Sequence, residues 1–278
     1  MTILDRALGG VIITIKTLFD NYMEFEEIIE NKSDDKIDLR NLKCSPTTVL
    51  PLLCECSNKS LKLDDGSSAF EFLESNLKNS KFFSPLPNSR YESDETDFLT
   101  NYVDNLDSSY GGYFVLRTII SELANKVYDH SGDNGDDVKS YICSKLDSHC
   151  KKLEICVIDD GLSILGIFEK YDVGFDNGCK AIEKAIGTFS TITDSDYERG
   201  NGFWTILRLV CEGNGGEMLI VSRRGCLHIC GDYYRYYLLH SEHIFNGTLV
   251  AVRLNRYKVQ NIYDLIEFNQ PNSFRLVL

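Results

Sequence analysis

An α+β fold, with helices laid as one layer over a mixed or antiparallel sheet, is predicted by three features of this 278-residue chain. An amphipathic helix, Tyr113 to His130, precedes a strand that stops at Asp159-Asp160-Gly161. The C-terminal strands are separated by turns at Asn214-Gly215-Gly216, Arg224-Gly225 and Asn246-Gly247, the punctuation of an antiparallel meander. The order is helix, strand, loop, helix, then strands, which favours a two-layer sandwich over repeated βαβ units.

The most linker-like segment, "FSPLPNSRYESDETD" (Phe83 to Asp97), has prolines, serines and acids without apolar periodicity. It divides the chain into a small α/β domain, 1–90, and a larger unit, 100–278. In the first, "VIITI" reads as a strand and "NYMEFEEIIENK" as a helix. "KIDLRNL" alternates as a short strand, Ile37 and Leu39 on one face and Asp38 and Arg40 on the other. In "SPTTVLPLLCECSN", Ser45 is placed as N-cap and Pro46 as first helical residue, and Pro51 should kink or delay the helix. "SSAFEFLESNLKN" is a further helix, and nothing in this unit suggests chemistry.

In the second unit, Leu116, Ile120, Leu123 and Val127 recur at helical spacing and form a buried stripe. Glu122 and Lys126 therefore flank that stripe or face a cleft. "KKLEICVIDDG" is a strand ending at two acids and a glycine. From Tyr171 to Arg199 a short helix, "CKAIEKAIG", alternates with threonine-rich loop, and "RGNGFWTILRLVCEG" is a glycine turn opening a helix. "EMLIVSRRG", "CLHICG", "YYRYYLLH" and "GTLVAVRLN" complete the strands.

The formal charge of −13 argues against non-specific binding to nucleic acid or anionic membrane. No apolar run approaches the ~20 residues of a membrane span, and "MTILDRALGG" lacks a signal-peptide pattern. A cytoplasmic protein is expected. The ten cysteines are scattered, many inside apolar runs, as reduced buried thiols would be. Cys226, His228 and Cys230 alternate along a strand, so the outer two would stand roughly 13 Å apart, too far to share a zinc ion.

Two elements carry candidate chemistry. Asp159-Asp160-Gly161 presents carboxylates at a strand end, with a glycine that lets another group approach, although read alone it is a common turn pair. Arg199-Gly200-Asn201-Gly202 frames a turn whose amides can bind phosphate oxygens; alone it too reads as a turn, without the third glycine and βαβ setting of a dinucleotide fingerprint.

Taken in order, the boxes say more. Glu122, Lys126, Asp129 and His130 lie on a helix; "DDGLSI" follows a strand; "RGNGF" opens a helix; "GGEMLIVSRRG" and Gly247-Thr248 follow. Over roughly 105–255 this series resembles the ATP-binding domain of the GHKL superfamily, which includes histidine kinases, anti-sigma-factor kinases and type II topoisomerases. "IDLRNLKCSPTTVLPLL" resembles the STAS-like domain that precedes such domains in some bacterial proteins. The resemblance implies a Bergerat-type fold and an ATP or ADP site. In it Glu122 would orient or deprotonate the attacking water, and Asp159 would accept the adenine amino group with Gly161 making room. Arg199, Gly200 and Gly202 would hold phosphates under a lid at about 171–198. Thr248 would help fix, through water, the adenine-binding aspartate, and His130 keeps the family register.

The family's usual asparagine ligand for Mg²⁺ is replaced by Lys126, and Asn125 lies one residue earlier, a rotation of about 100° on a helix. Ser163 stands where a glycine is usual. Lys126 reads either as a solvent-facing partner of Glu122, worth ~0.3–0.5 kcal/mol, or as a charge that replaces part of Mg²⁺ against phosphates. His130 is the first histidine of the chain and lies inside the ATP-binding unit, which argues against a conventional autophosphorylating kinase. The expectation is an ATP-binding regulatory protein with weak ATPase or Ser/Thr kinase activity, protein partners and, as is frequent in the family, a homodimer. The alternative is a degenerate interaction module that has lost Mg-ATP turnover.

Overall fold

The computed structural model describes residues 7–8, 11–12, 16–42, 44–78, 82–86, 95–130, 138–147, 150–187, 202–239 and 244–266. In chain order the elements are β1 (Ala7–Leu8), β2 (Val11–Ile12), α1 (Leu18–Glu30), α2 (Pro46–Lys59), α3 (Ala69–Lys78), β3 (Phe83–Pro85), α4 (Glu95–Asp104) and α5 (Tyr113–His130). There follow β4 (Ser140–Asp147), β5 (Lys152–Asp159), α6 (Ile164–Lys170), α7 (Gly178–Gly187), α8 (Gly202–Leu207), β6 (Glu217–Ser222), β7 (Gly225–Cys230), β8 (Tyr233–Leu238), β9 (Thr248–Asn255) and α9 (Ile262–Ile266). A π-helical segment, Arg208–Gly213, continues α8.

The main sheet runs β3-β4-β5-β9-β6-β7-β8, and every pairing is antiparallel. β6, β7 and β8 form the expected meander, but β9 returns across it and inserts between β5 and β6. That insertion places Thr248 beside Asp159.

The expectation of two layers is corrected to three. Leu153, Ile155 and Val157 of β5 pack with α5, α6, α7 and α8 in one core. Cys156 and Ile158, on the opposite face, pack with Leu18, Tyr22 and Phe25 of α1 and Leu50, Leu53 and Cys54 of α2 in another. A strand with helices on both faces must be apolar on both, and β5 is buried at every position after Lys152. The helices of the expected first unit thus share a core with the sheet of the expected second.

Local expectations divide in the same way. α5 has the expected bounds and buries the expected stripe. Ser45 and Pro46 open α2 as expected, yet the helix passes through Pro51 unbroken. The interior proline costs roughly 3 kcal/mol, and a helix whose residues from Pro46 to Cys56 are all buried has enough packing to offset it. "KIDLRNL" forms one parallel bridge, Lys36 to Lys62, in place of a strand. The linker-like segment contributes β3, where Pro85 is tolerated because β3 is an edge strand. α7, inside the expected lid, buries Ala181, Ile182, Ala185 and Ile186 in the main core, so this part of the segment is fixed packing.

The second face carries a buried ionic rung. Glu154, Arg253 and Glu217 are opposite one another across β5, β9 and β6. Arg253 donates to Glu154 at 2.9 Å and to Glu217 at 3.1 Å. Glu217 also accepts from the Leu18 amide at 2.6 Å and meets His228 Nε2 at 2.7 Å. Glu154 accepts from the Thr47 amide at 3.0 Å, the Thr47 hydroxyl at 2.7 Å and Ser45 Oγ at 2.5 Å. Each carboxylate therefore sits at the start of one helix, α1 or α2, where the backbone dipole is positive. Two carboxylates are balanced by one guanidinium and two helix N-termini, about half a charge each.

Candidate functional site

At the end of β5 the backbone turns the two acids to different sides. Asp160 Oδ1 accepts from the Lys139 amide at 2.7 Å, and its Oδ2 accepts from Asn58 Nδ2 of α2 at 3.3 Å. Asp159 has the same strand parity as Val157 and faces the α5–α8 layer, only 3% exposed. Its Oδ1 accepts from the Gly161 amide at 3.0 Å. Burial drives the Asp159 carboxyl up to about 7, the Gly161 amide opposes the shift and the neighbouring Asp160 charge adds to it. The acid is thus poised to exchange its proton near neutrality.

Across the ladder from Asp159 is Thr248, and across from Thr248 is Ser222. The three polar residues form a rung on the α5–α8 face, the counterpart of the ionic rung on the other side. Thr248 is 5% exposed, and its Oγ1 finds no hydrogen-bond partner among the described residues. A buried hydroxyl without a partner is costly. Beside a buried carboxylate, it can receive the edge of a ligand that offers a donor next to an acceptor. Gly247 makes the close approach of the strands feasible: its φ is +145°, and a Cβ there would land on the Asp159 carbonyl oxygen.

Glu122 and Lys126 lie one turn apart on α5, half-buried beside its apolar stripe as expected. They converge on Gly202, the first residue of α8. A methyl group at Gly202 would stand 2.5 Å from Glu122 Oε2 and 2.8 Å from Lys126 Cε. Lys126 Nζ lies 5.3 Å from the centre of the Phe203 ring, within cation–π range. Two long side chains thus approach the bare Cα of this glycine closely. Asn125 is also half-buried, but a rotation of about 100° separates it from Lys126.

Arg199 and Gly200, the side chain of His130, and the expected lid beyond residue 187 lie outside the described residues. The described candidate residues therefore fall into two groups, Asp159, Gly161 and Thr248 at a strand end and Glu122, Lys126 and Gly202 at the contact of α5 with α8. Sequence reasoning gave Ser222 no role, although it lies in the "GGEMLIVSRRG" box. Its signal was a lone hydroxyl following the apolar run Met218 to Val221. Sequence reasoning also missed Glu154 and Arg253, charges in the interior of apolar strands, and Glu217, which opens one.

No family model and no curated protein matches the chain. Among solved structures, the chain is similar to the histidine kinase domain of a blue-light activated histidine kinase from Erythrobacter litoralis EL346. The identity is 12%, over 90% of this chain and 100% of that one, with a TM-score of 0.30.

Proposed function

We propose that this chain is an adenine-nucleotide-binding regulatory protein of the histidine-kinase-like ATPase type. The observation that carries the reading is the pairing of the buried Asp159 carboxylate with the partnerless Thr248 hydroxyl. Adenine presents an amino donor beside a ring-nitrogen acceptor. Asp159 would accept from the first, and Thr248, directly or through water, would donate toward the second. Gly161 leaves room at the lip, and the Glu122–Lys126–Gly202 contact is where phosphates would be received.

Lys126 cannot ligate Mg²⁺, and among the described residues no group of three or more His, Cys, Asp or Glu side chains could hold a metal ion. The residue at the family's Mg²⁺-ligand position therefore does not fit that ion. The Lys126 ammonium would instead supply positive charge to the phosphates, as a mobile point charge and not an octahedral organiser. Glu122 would orient water for hydrolysis, and slow turnover is the expectation. Thermal unfolding with ADP and ATP, with and without Mg²⁺, tests both parts: nucleotide at about 100-fold above Kd should add ~2.7 kcal/mol. Stabilisation that requires Mg²⁺ would remove Lys126 from this role. Lys126→Asn should create a Mg²⁺ dependence that the natural chain lacks.

A second reading, a protein-interaction module without nucleotide turnover, is favoured by the closeness of Glu122 and Lys126 to Gly202, which leaves little space for a phosphate chain. Absence of any thermal shift at millimolar nucleotide would select it.

A further inference from the structure

We infer that Ser222 is a positioning residue for the adenine pocket, holding its two sides in register without touching the base; this rests on the nucleotide-binding reading above. Ser222 is fully buried at the end of β6, opposite Thr248. Its Oγ accepts from the Ile164 amide at 3.0 Å and donates to the Gly247 carbonyl at 3.4 Å. Ile164 closes the loop that starts at Asp159, and Gly247 immediately precedes Thr248. One hydroxyl thus connects the segment bearing the carboxylate with the segment bearing the partnerless hydroxyl.

The residues after Ser222 extend the same mount. Arg223 Nη1 reaches both carboxylate oxygens of Glu169, at 2.8 and 2.9 Å, near the end of α6. Gly225 lies against Gly178 at the start of α7. Three contacts from one four-residue turn therefore seat α6 at both ends and α7 at its origin. Recognition of a base edge tolerates errors of only about half an ångström, and Ser222 is the member of the turn that borders the edge itself. Removing its hydroxyl would leave the buried Ile164 amide without an acceptor and free the Asp159 loop to shift relative to Thr248.

The consequence is specific to the base. Phosphate contacts at α5 and α8 do not pass through Ser222, so its loss should weaken adenine recognition and leave nucleotides of another base unchanged. Titration of ADP and GDP into the full chain, S222A and S222T tests this. S222A is expected to weaken ADP about tenfold, the loss of roughly one buried hydrogen bond, with GDP unaffected, and S222T should restore the preference. An ADP-to-GDP ratio equal to that of the natural chain in S222A would overturn the inference while leaving the nucleotide reading intact. A natural chain that binds neither nucleotide would overturn both. Should S222A not fold, S222C keeps the volume with a weaker donor, and the same ratio decides.

Discussion

Gly178 and Gly225 meet backbone to backbone, with no room for a side chain on either. A methyl group on Gly178 would stand 2.6 Å from the Gly225 nitrogen, and one on Gly225 would stand 2.5 Å from the Gly178 carbonyl. Neither neighbour is a flexible side-chain end that could swing away. Gly178→Ala should therefore destabilise the chain by about 1–3 kcal/mol, with increased amide exchange in α7. Wild-type stability in urea would show that α7 is not seated on β7 in this way.

Gly202→Ala should behave differently. The atoms its methyl group would meet, Glu122 Oε2 and Lys126 Cε, are the ends of flexible side chains. Stability should change by less than about 1 kcal/mol, while nucleotide affinity or turnover changes, because the displaced groups are those of the site. Equal effects on stability and binding would argue that Gly202 is only structural. In the same assay Glu122→Ala should abolish turnover and leave binding.

Asp159 makes folding itself depend on pH. Its folded-state carboxyl sits near 7, against 3.8 for the ordinary group. Between about pH 4 and 7 the folded chain binds the proton more tightly than the unfolded chain does. The stability this group supplies is therefore greatest in acid, declines across that window and is level above it. Asp159→Asn should remove the decline, stabilise the ligand-free chain at pH 8 by about 2–4 kcal/mol, and weaken adenine nucleotide binding. In the natural chain, binding should strengthen as pH rises through 7 and the carboxylate ionises. A mutant whose Tm follows the natural chain at every pH would contradict this.

Arg253→Ala should be the most damaging of these changes, about 3–5 kcal/mol, because it strands Glu154 and Glu217 in a core. Adding Glu217→Gln should recover part of the loss, a coupling that a double-mutant cycle measures. The acid limb is set here as well. Burial would raise Glu217, but the His228 contact, the Arg253 charge and the Leu18 amide hold it below its ordinary value. Its contribution is present above the unfolded pKa and is lost as pH falls through the folded one, so unfolding below about pH 4 should be steeper in the natural chain than in Glu217→Gln. Additive effects of the two substitutions would show that the rung is not a unit.

Much of this architecture is legible in the residues. The stripe Leu116, Ile120, Leu123 and Val127 specifies α5 because helical periodicity is a local property, and the glycine turns mark β6, β7 and β8 for the same reason. The place of β9 is not local: nothing in "GTLVAVRLN" says which strands it separates. The third layer also leaves a mark in the sequence. Near-continuous apolar runs such as "LEICVID" and "TLVAVRL" mark strands covered on both faces, and their single interior charges mark where helix starts must dock. For the site, the residues at the strand end present two acids, Asp159 and Asp160, and it is the resemblance that selects Asp159. The physical reason is strand parity, with the claims of Lys139 and Asn58 on Asp160. Gly202 is suggested by its motif, whereas its reason, the approach of Glu122 and Lys126, is tertiary.

The ionic rung also sets an order of events during synthesis. Arg253 donates to the carbonyl of Lys16, 237 positions earlier in the chain, at 2.7 Å. α1 and α2 leave the ribosome long before the strand that holds their anchoring carboxylates in place. At ~5–20 residues per second, they wait on the order of ten to fifty seconds for it. Until then Glu154 and Glu217 lack their shared counter-charge and the sheet under α1 and α2 lacks its central strand, and a nascent chain stalled before Arg253 should be a client for chaperones and proteases.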